Sequence, residues 1–193
     1  MGRIVVFNNL TLDGVMQAPG GADEDTRGGF THGGWAAPYG AMMEAGDAFP
    51  GMDALLFGRR TYEQFYGFWP KQTGNPFAGM LDAMPKYVAS TTLTEPLPWV
   101  NSTLLHGDAA ESVAKLKTEQ AGNIAIMGCG VLVQSLMRAG LIDRYVLLVH
   151  PLVLGSGRQL FPSGGAAATL KLISAKSTSK GVAVLAYEPV GSA

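Results

Sequence analysis

The sequence predicts an α/β fold with a mixed sheet. Three observations predict it. Short apolar runs of strand type alternate with segments of helical spacing. Glycine stands at two of the strand-to-helix junctions, and the last part of the chain holds two strand-like runs joined across Ser179-Lys180-Gly181, an antiparallel hairpin pattern.

Ile4 to Asn9 is short, β-branched and stopped by polar residues, which marks a buried strand. From Asp13 to Gly40 the chain has loop chemistry, with seven glycines between Gly20 and Gly40 besides Pro19 and Pro38. A loop of that length inside a compact domain is usually functional or mobile. Ala41 to Phe49 reads as a short helix, and Ala54 to Phe57 as a second buried strand. Gly58-Arg59-Arg60-Thr61-Tyr62-Glu63 follows, and a helix starting at or beside Thr61 runs to just before Pro70. Its aromatic end (Phe65, Tyr66, Phe68, Trp69) suits core packing. Lys86 to Ser90 and Asn101 to Leu105 are the third and fourth strands. Asp108 caps a helix from Ala109 to Gln120, on which Ala109, Val113 and Leu116 fall at helical spacing, and Gly122 closes it. Asn123 to Met127 is a fifth strand that turns through Gly128-Cys129-Gly130 into a helix from Val131 to Ala139, ended by Gly140. Leu141 to Gly155 supplies a long strand, and Thr169 to Thr178 pairs with Gly181 to Val190.

The 193 residues fit one domain, 1–193. With 14 Lys+Arg against 15 Asp+Glu, the formal net charge is -1, which argues against nucleic acid as a partner. Apolar residues are 47% and charged residues 15%, so a sizeable core can be buried. Cys129 is the single cysteine, which excludes an intrachain disulfide and a cysteine metal cluster and points to a reducing compartment. The first residues lack the apolar run of a signal peptide and the myristoylation pattern. The most apolar window, Tyr145 to Gly155, is broken by His150 and Pro151 and falls short of the about 18 residues that a span requires. The expectation is a soluble, cytoplasmic protein with no membrane partner.

Glycine at a helix start lets a backbone approach an anion, and the free first-turn N–H groups suit phosphate oxygens. Gly58-Arg59-Arg60-Thr61, the weaker Ser90-Thr91-Thr92 and Gly128-Cys129-Gly130 are such junctions, and two in one sheet suit a ligand with separated phosphates. The alternative is that these glycines only permit tight turns, and spacing alone does not decide. The standard dinucleotide fingerprint fails, because position 133 is Val133, and no P-loop, zinc-protease helix or hydrolase elbow is present. Cys129 pairs on paper with His32, His106 or His150 as a thiol–imidazole couple, although a small buried turn residue explains it as well. The three histidines lack metal-ligand spacing, so no metal is expected.

In their order along the chain, Leu12-Asp13-Gly14, Gly58 to Glu63, Gly128-Cys129-Gly130-Val131-Leu132 and Leu141 to Phe161 resemble the dihydrofolate reductase-like superfamily. The closest likeness is to the branch that includes the C-terminal reductase domain of bacterial riboflavin biosynthesis. The resemblance implies a three-layer sandwich with a mostly parallel sheet of eight to nine strands, a C-terminal antiparallel hairpin and helices on both faces. It implies an NADPH-dependent reductase, commonly a homodimer in this branch. By analogy Gly58, Arg59, Arg60 and Thr61 hold the adenosine-side phosphates, with an arginine favouring NADPH over NADH. Ser90 and Thr91 flank the adenine ribose, and Gly128, Cys129, Gly130, Val131 and Leu132 lie under the pyrophosphate, with Cys129 where the family has a second glycine. Asp13 and Gly14 belong to the loop that packs against nicotinamide and substrate.

The reaction such a fold implies is hydride transfer to a C=N or C=O carbon, with a proton supplied to the neighbouring atom. Asp13 is the candidate acid, with capping of its own turn as the alternative. Trp35 and Tyr39 suit stacking on a flat heterocycle or packing of a lid, and Arg27 is the basic residue of the long loop on the substrate side. The substrate stays open. A riboflavin-pathway reductase acting on a phosphoribosylamino-uracil is one alternative, and dihydrofolate reductase is another, although Glu44 and Asp47 match its helix carboxylate poorly. A non-catalytic dinucleotide-binding protein is the rival from another class.

Overall fold

The computed structural model describes residues 1–45 and 51–191. The chain divides into two compact units. One comprises Met1–Ile4 with Gly51–Leu141, and the other Val5–Pro50 with Ile142–Ala193. Eight strands make up a mixed, mostly parallel sheet in the order β4-β3-β2-β5-β1-β6-β8-β7. They are β1 (Arg3–Thr11), β2 (Ala54–Gly58), β3 (Lys86–Ala89), β4 (Ser102–Leu105), β5 (Asn123–Met127), β6 (Arg144–His150), β7 (Leu170–Ser177) and β8 (Ala183–Pro189).

In the first unit β2 pairs in parallel with β3 and β5, and β3 with β4. Leu55, Leu56, Phe57, Val88, Ile124, Ala125 and Ile126 are fully buried, so these strands read as near-continuous apolar runs, the pattern of a sheet covered on both faces. Each large aliphatic side chain removed from water there contributes roughly 2 kcal/mol. Helix α2 (Arg59–Phe68) starts two residues before Thr61 and packs on β2 and β3. The aromatic end has the packing role: the Phe57 and Phe65 rings meet tilted at 5.1 Å, Trp69 meets Phe77 at 4.9 Å, and the Tyr62 hydroxyl accepts the Trp99 backbone N–H at 2.9 Å.

Helix α3 (Pro76–Ala83) is absent from the sequence expectation, although Asn75 accepts from Phe77 N at its N-cap and Pro76 holds the first helical position. Lys86 is fully buried and donates to the carbonyls of Leu81, Asp82 and Met84 at 2.6, 3.1 and 2.7 Å, over the Trp99 ring. One ammonium thus satisfies the carbonyl end of α3. Asp108 caps α4 (Ala109–Glu119) by accepting from Ala110 N and Glu111 N, as expected. Helix α5 (Gly130–Arg138) packs on α4 and β2.

In the second unit β1 pairs in parallel with β6, and β6, β8 and β7 continue antiparallel, with a bulge between Leu172 and Ser174. The terminal hairpin is as expected. The strand expected to run on to Gly155 stops at His150, because Pro151 has no N–H for the ladder. Helix α1 (Ala41–Ala45) packs on β6. The rest of the helix expected to Phe49, with Asp47, lies outside the described residues.

Candidate active site

In the first unit the three junctions singled out in the sequence lie together at the C-terminal ends of parallel strands. That is where open α/β sheets bind ligands. The Gly58 N–H donates to Cys129 Sγ at 3.3 Å, and the thiol donates to the Met127 carbonyl at 3.4 Å. The cysteine therefore ties the turn after β2 to the turn after β5. Burial pushes its thiol up to about 11, with bonds from Thr61 and Gly58 opposing. It is a structural thiol, and the thiol–imidazole couple finds no support.

Gly128 has φ +71, the left-handed region that favours glycine, although a Cβ there would meet nothing nearer than Thr61 Cγ2 at 3.7 Å. The peptide geometry of this turn is ordinary: the cis bond among the described residues is Glu95–Pro96. In the third turn Ser90 Oγ accepts from Thr92 N and Leu93 N, both at 3.1 Å, and Arg59 Nη1 donates to Thr92 Oγ1 at 3.0 Å. Arg60 and Thr91 are exposed beside them, and Val131 is 72% exposed in the first turn of α5.

The starts of α2 and α5 share one property. Their N-cap residues, Gly58 and Cys129, offer no side-chain acceptor to the first-turn amides, and neither first turn holds an acidic residue. The amides of Arg59–Thr61 and Gly130–Leu132 are left for another acceptor, in a field that favours anions.

In the second unit the loops that follow β1 and β6 are laced together. The Asp13 carboxylate accepts from Thr11 Oγ1 at 2.5 Å, from Leu154 N at 3.2 Å and from Gly155 N at 2.7 Å, and its carbonyl accepts from Gln159 Nε2 at 2.8 Å. The Thr11 bond, followed by the backbone donors, holds this carboxyl below the usual range against its partial burial. A proton donor at neutral pH needs the opposite shift. The geometry shows Asp13 capping its own turn, the alternative that the sequence left open. Gly14 has φ +79 in the same turn, with open space around it.

Trp35 and Tyr39 take the packing alternative. The Trp35 indole N–H donates to the Gln17 carbonyl at 2.7 Å, and both rings stand edge-to-face on His150, at 5.2 and 5.0 Å. Arg27 forms a two-point ion pair with Asp25, whose carboxyl that bond holds low, with the Arg158 charge adding to it. Glu44 accepts from Ser179 N and Oγ at 2.7 and 2.8 Å, and Lys180 donates to the Pro38 carbonyl, so the end of the long loop is tied to the β7–β8 turn.

Sequence reasoning missed three residues here. His150 is fully buried, burial pulls it down to about 4, Nε2 bonds Asn9 Oδ1 at 2.9 Å, and Nδ1 has no hydrogen-bond partner among the described residues. Gln17 is the hidden brace of the long loop. Glu24 is pushed up by desolvation even while it accepts from Gly20 N and Gly21 N. Of these only His150 carried a signal, as a lone histidine at the end of an apolar strand. Among the described residues no group of three His, Cys, Asp or Glu stands where it could hold a metal ion, and no helix is long and apolar enough to cross a membrane.

The fold is that of the dihydrofolate reductase-like α/β proteins. It matches the dihydrofolate reductase of Enterococcus faecalis complexed with NADP(H) and RAB-propyl at TM-score 0.60, with 13% identity, over 97% of this chain and 96% of that one. Residues 3–184 match the RibD C-terminal domain, and the chain belongs to that family, which makes it a reductase-type protein. A putative riboflavin biosynthesis protein from Shewanella sp. PV-4 is similar at TM-score 0.67 and 22% identity, covering 97% of this chain and 99% of that one. The uncharacterized protein YyaP of Bacillus subtilis (strain 168) is 27% identical over 196 residues, 96% of this chain and 94% of its own.

Proposed function

We propose that this protein is an NADPH-dependent reductase of a small heterocyclic or carbonyl substrate, working in the cytoplasm as a homodimer. One observation carries the cofactor half of this reading: two helix N-termini without side-chain caps, held side by side by the Gly58–Cys129 contact, with Arg59 and Arg60 beside them. Their amides and guanidinium groups fit the separated phosphates of a dinucleotide. Bound NADPH supplies the hydride for a C=N or C=O carbon. The chain's own part is to bind, to orient and to keep the reacting groups in place. The first-turn amides of α2 and α5 take phosphate oxygens, and an arginine of the α2 start takes the additional phosphate that separates NADPH from NADH. Asp13 holds the loop after β1 against the backbone of Leu154 and Gly155, and so acts as a positioning residue.

Titration of the purified chain with NADPH and NADH, followed by nicotinamide fluorescence, tests this reading. Saturable NADPH binding with weaker NADH binding is expected. In Arg59→Ala the loss is expected to be larger for NADPH than for NADH, and an equal loss removes the phosphate-reading role. Absence of binding for either cofactor rejects the reductase reading. NADPH consumption across a panel of pterins, pyrimidine ribosides and small carbonyl compounds then separates an enzyme from a protein that only binds the nucleotide.

A further inference from the structure

The antiparallel end of the sheet turns two unlike faces to its surroundings. Residues opposite one another in a ladder share a face, so the registers of β6 with β8 and of β8 with β7 sort the three strands. Tyr145, Tyr187 and Leu172 stand in one row across them, and Leu147, Leu185 and Ala175 in the next. The rows of the other face are Val146, Ala186 and Ser174, and Leu148, Val184 and Lys176. On that second face Val146, Leu148, Val184 and Ala186 are fully buried, and β7 beyond them is polar, with Lys171, Ser174 and Lys176 exposed.

The first face does the reverse: its burial fades from strand to strand while its apolar character continues. On β6 Tyr145 and Leu147 are buried, with the Phe161 ring 6.0 Å from that of Tyr145. On β8 Leu185 and Tyr187 are half-buried, and on β7 Leu172 is 50% exposed and Ala175 is exposed. Leu170, opposite Pro189, extends the same face. None of these residues is charged, whereas Lys171, Lys176 and the Arg144–Glu188 pair stand on the other face. The alternation along β7 is that of a strand with one covered face, yet seven of its eight residues are exposed.

We propose that this face of β8 and β7 is covered by a second copy of the chain, the same face of the partner packing on it about a twofold axis. The proposal rests on the homodimer of the proposed function and names its surface. The charge pattern selects the occupant. An apolar face without charges matches its own copy and buries no unpaired ion, and the lysines of β7 stay outside the contact. A twofold contact sets one patch against itself, so each apolar row is used twice. Edge-to-edge joining is disfavoured, because β7 carries two lysines and a bulge between Leu172 and Ser174, the devices that blunt a sheet edge. Packing face to face is the geometry that remains.

Sedimentation velocity of the full chain over a range of concentrations tests the proposal. The parent is expected to sediment at twice the 20.3 kDa of one chain. Ala175→Asp and Leu172→Lys each place a charge on the apolar face at an exposed position, and each is expected to raise the dimer dissociation constant at least about tenfold. Ser174→Asp puts its charge on the same strand but the opposite face, and is expected to leave the dimer intact. Circular dichroism of each variant checks that the fold is kept. A dimer that both Ala175→Asp and Leu172→Lys leave intact overturns this surface while the homodimer itself stands. A dimer that Ser174→Asp splits as readily as they do overturns it too, because the contact then runs along the strand edge. A parent that stays monomeric throughout overturns the homodimer and this surface together.

Discussion

The strand ends of the two units treat their polar groups in opposite ways. In the first unit α3 and α4 are capped by Asn75 and Asp108, whereas α2 and α5 begin on Gly58 and Cys129 with their first-turn amides uncapped. In the second unit the polar groups of the loops are spent on one another: Asp13 on Leu154 and Gly155, Gln17 on the Arg27 carbonyl and the Arg158 N–H, His150 on Asn9, and Glu44 on Ser179. Capping an end is worth about 1 kcal/mol. Two helix starts of the first unit thus gain the stability of a cap, and the two that meet at the Gly58–Cys129 contact keep their first-turn amides uncapped. The laced loops teach the converse. A carboxylate with three donors, or a histidine shut under two rings, serves position before chemistry.

The largest effect expected in this contrast concerns His150. Burial lowers its folded pKa to about 4 from the ordinary 6.5, so between those values the unfolded chain binds the proton that the folded chain refuses. Its contribution to stability is unchanged above pH 6.5 and is lost as pH falls toward 4, by roughly 2 kcal/mol at pH 5. Urea unfolding at pH 7 and pH 5 is expected to show that loss in the parent and a flatter dependence in His150→Gln. An unchanged pH dependence in the variant would mean that the histidine is not held neutral.

Next in size is Val131→Asp, which sharpens the reading of the open ends because it moves two observables in opposite directions. A carboxylate in the first turn of α5 complements the helix dipole, so the melting temperature is expected to hold or rise slightly. It also repels phosphate, so NADPH affinity is expected to fall about tenfold, some 1.4 kcal/mol. Loss of both together would indicate local damage. Asp108→Ala provides the matching control at a capped end, with an expected cost of about 1 kcal/mol in denaturant unfolding and NADPH affinity unchanged. Smallest is Asn75→Ala. Its expected cost is at the low end of the capping range, because Pro76 at the first helical position already presets the turn.

The open half was more legible in the sequence than the laced half, for a physical reason. Strand runs such as Leu55-Leu56-Phe57, the Asp108 cap and the glycine junctions at 58 and 128 are local patterns set by a few neighbouring residues. The lacing is not local: Asp13 meets Gly155 across 142 positions, and Asn9 meets His150 across 141. Spacing therefore left Asp13 open between an acid and a turn cap, and Trp35 open between a platform and a packing residue, because their partners carry no nearby signal. Helix α3 was missed although Asn75-Pro76 is a starting signal, since Gly74 and Pro76 together also read as a turn. The end of β6 was overrun because Leu152, Val153 and Leu154 continue the apolar run past a proline that has no N–H to pair.

In the proposed reading the open helix starts of the first unit receive the cofactor and the capped ones do not. Backbone amide resonances of the isotopically labelled chain, followed during NADPH addition, test it most directly. The largest shifts are expected at Arg59, Arg60 and Thr61 and at Gly130, Val131 and Leu132, with Phe77, Ala110 and Glu111 unmoved. Shifts centred on the capped ends, or none at the two open starts while NADPH binds, would contradict it.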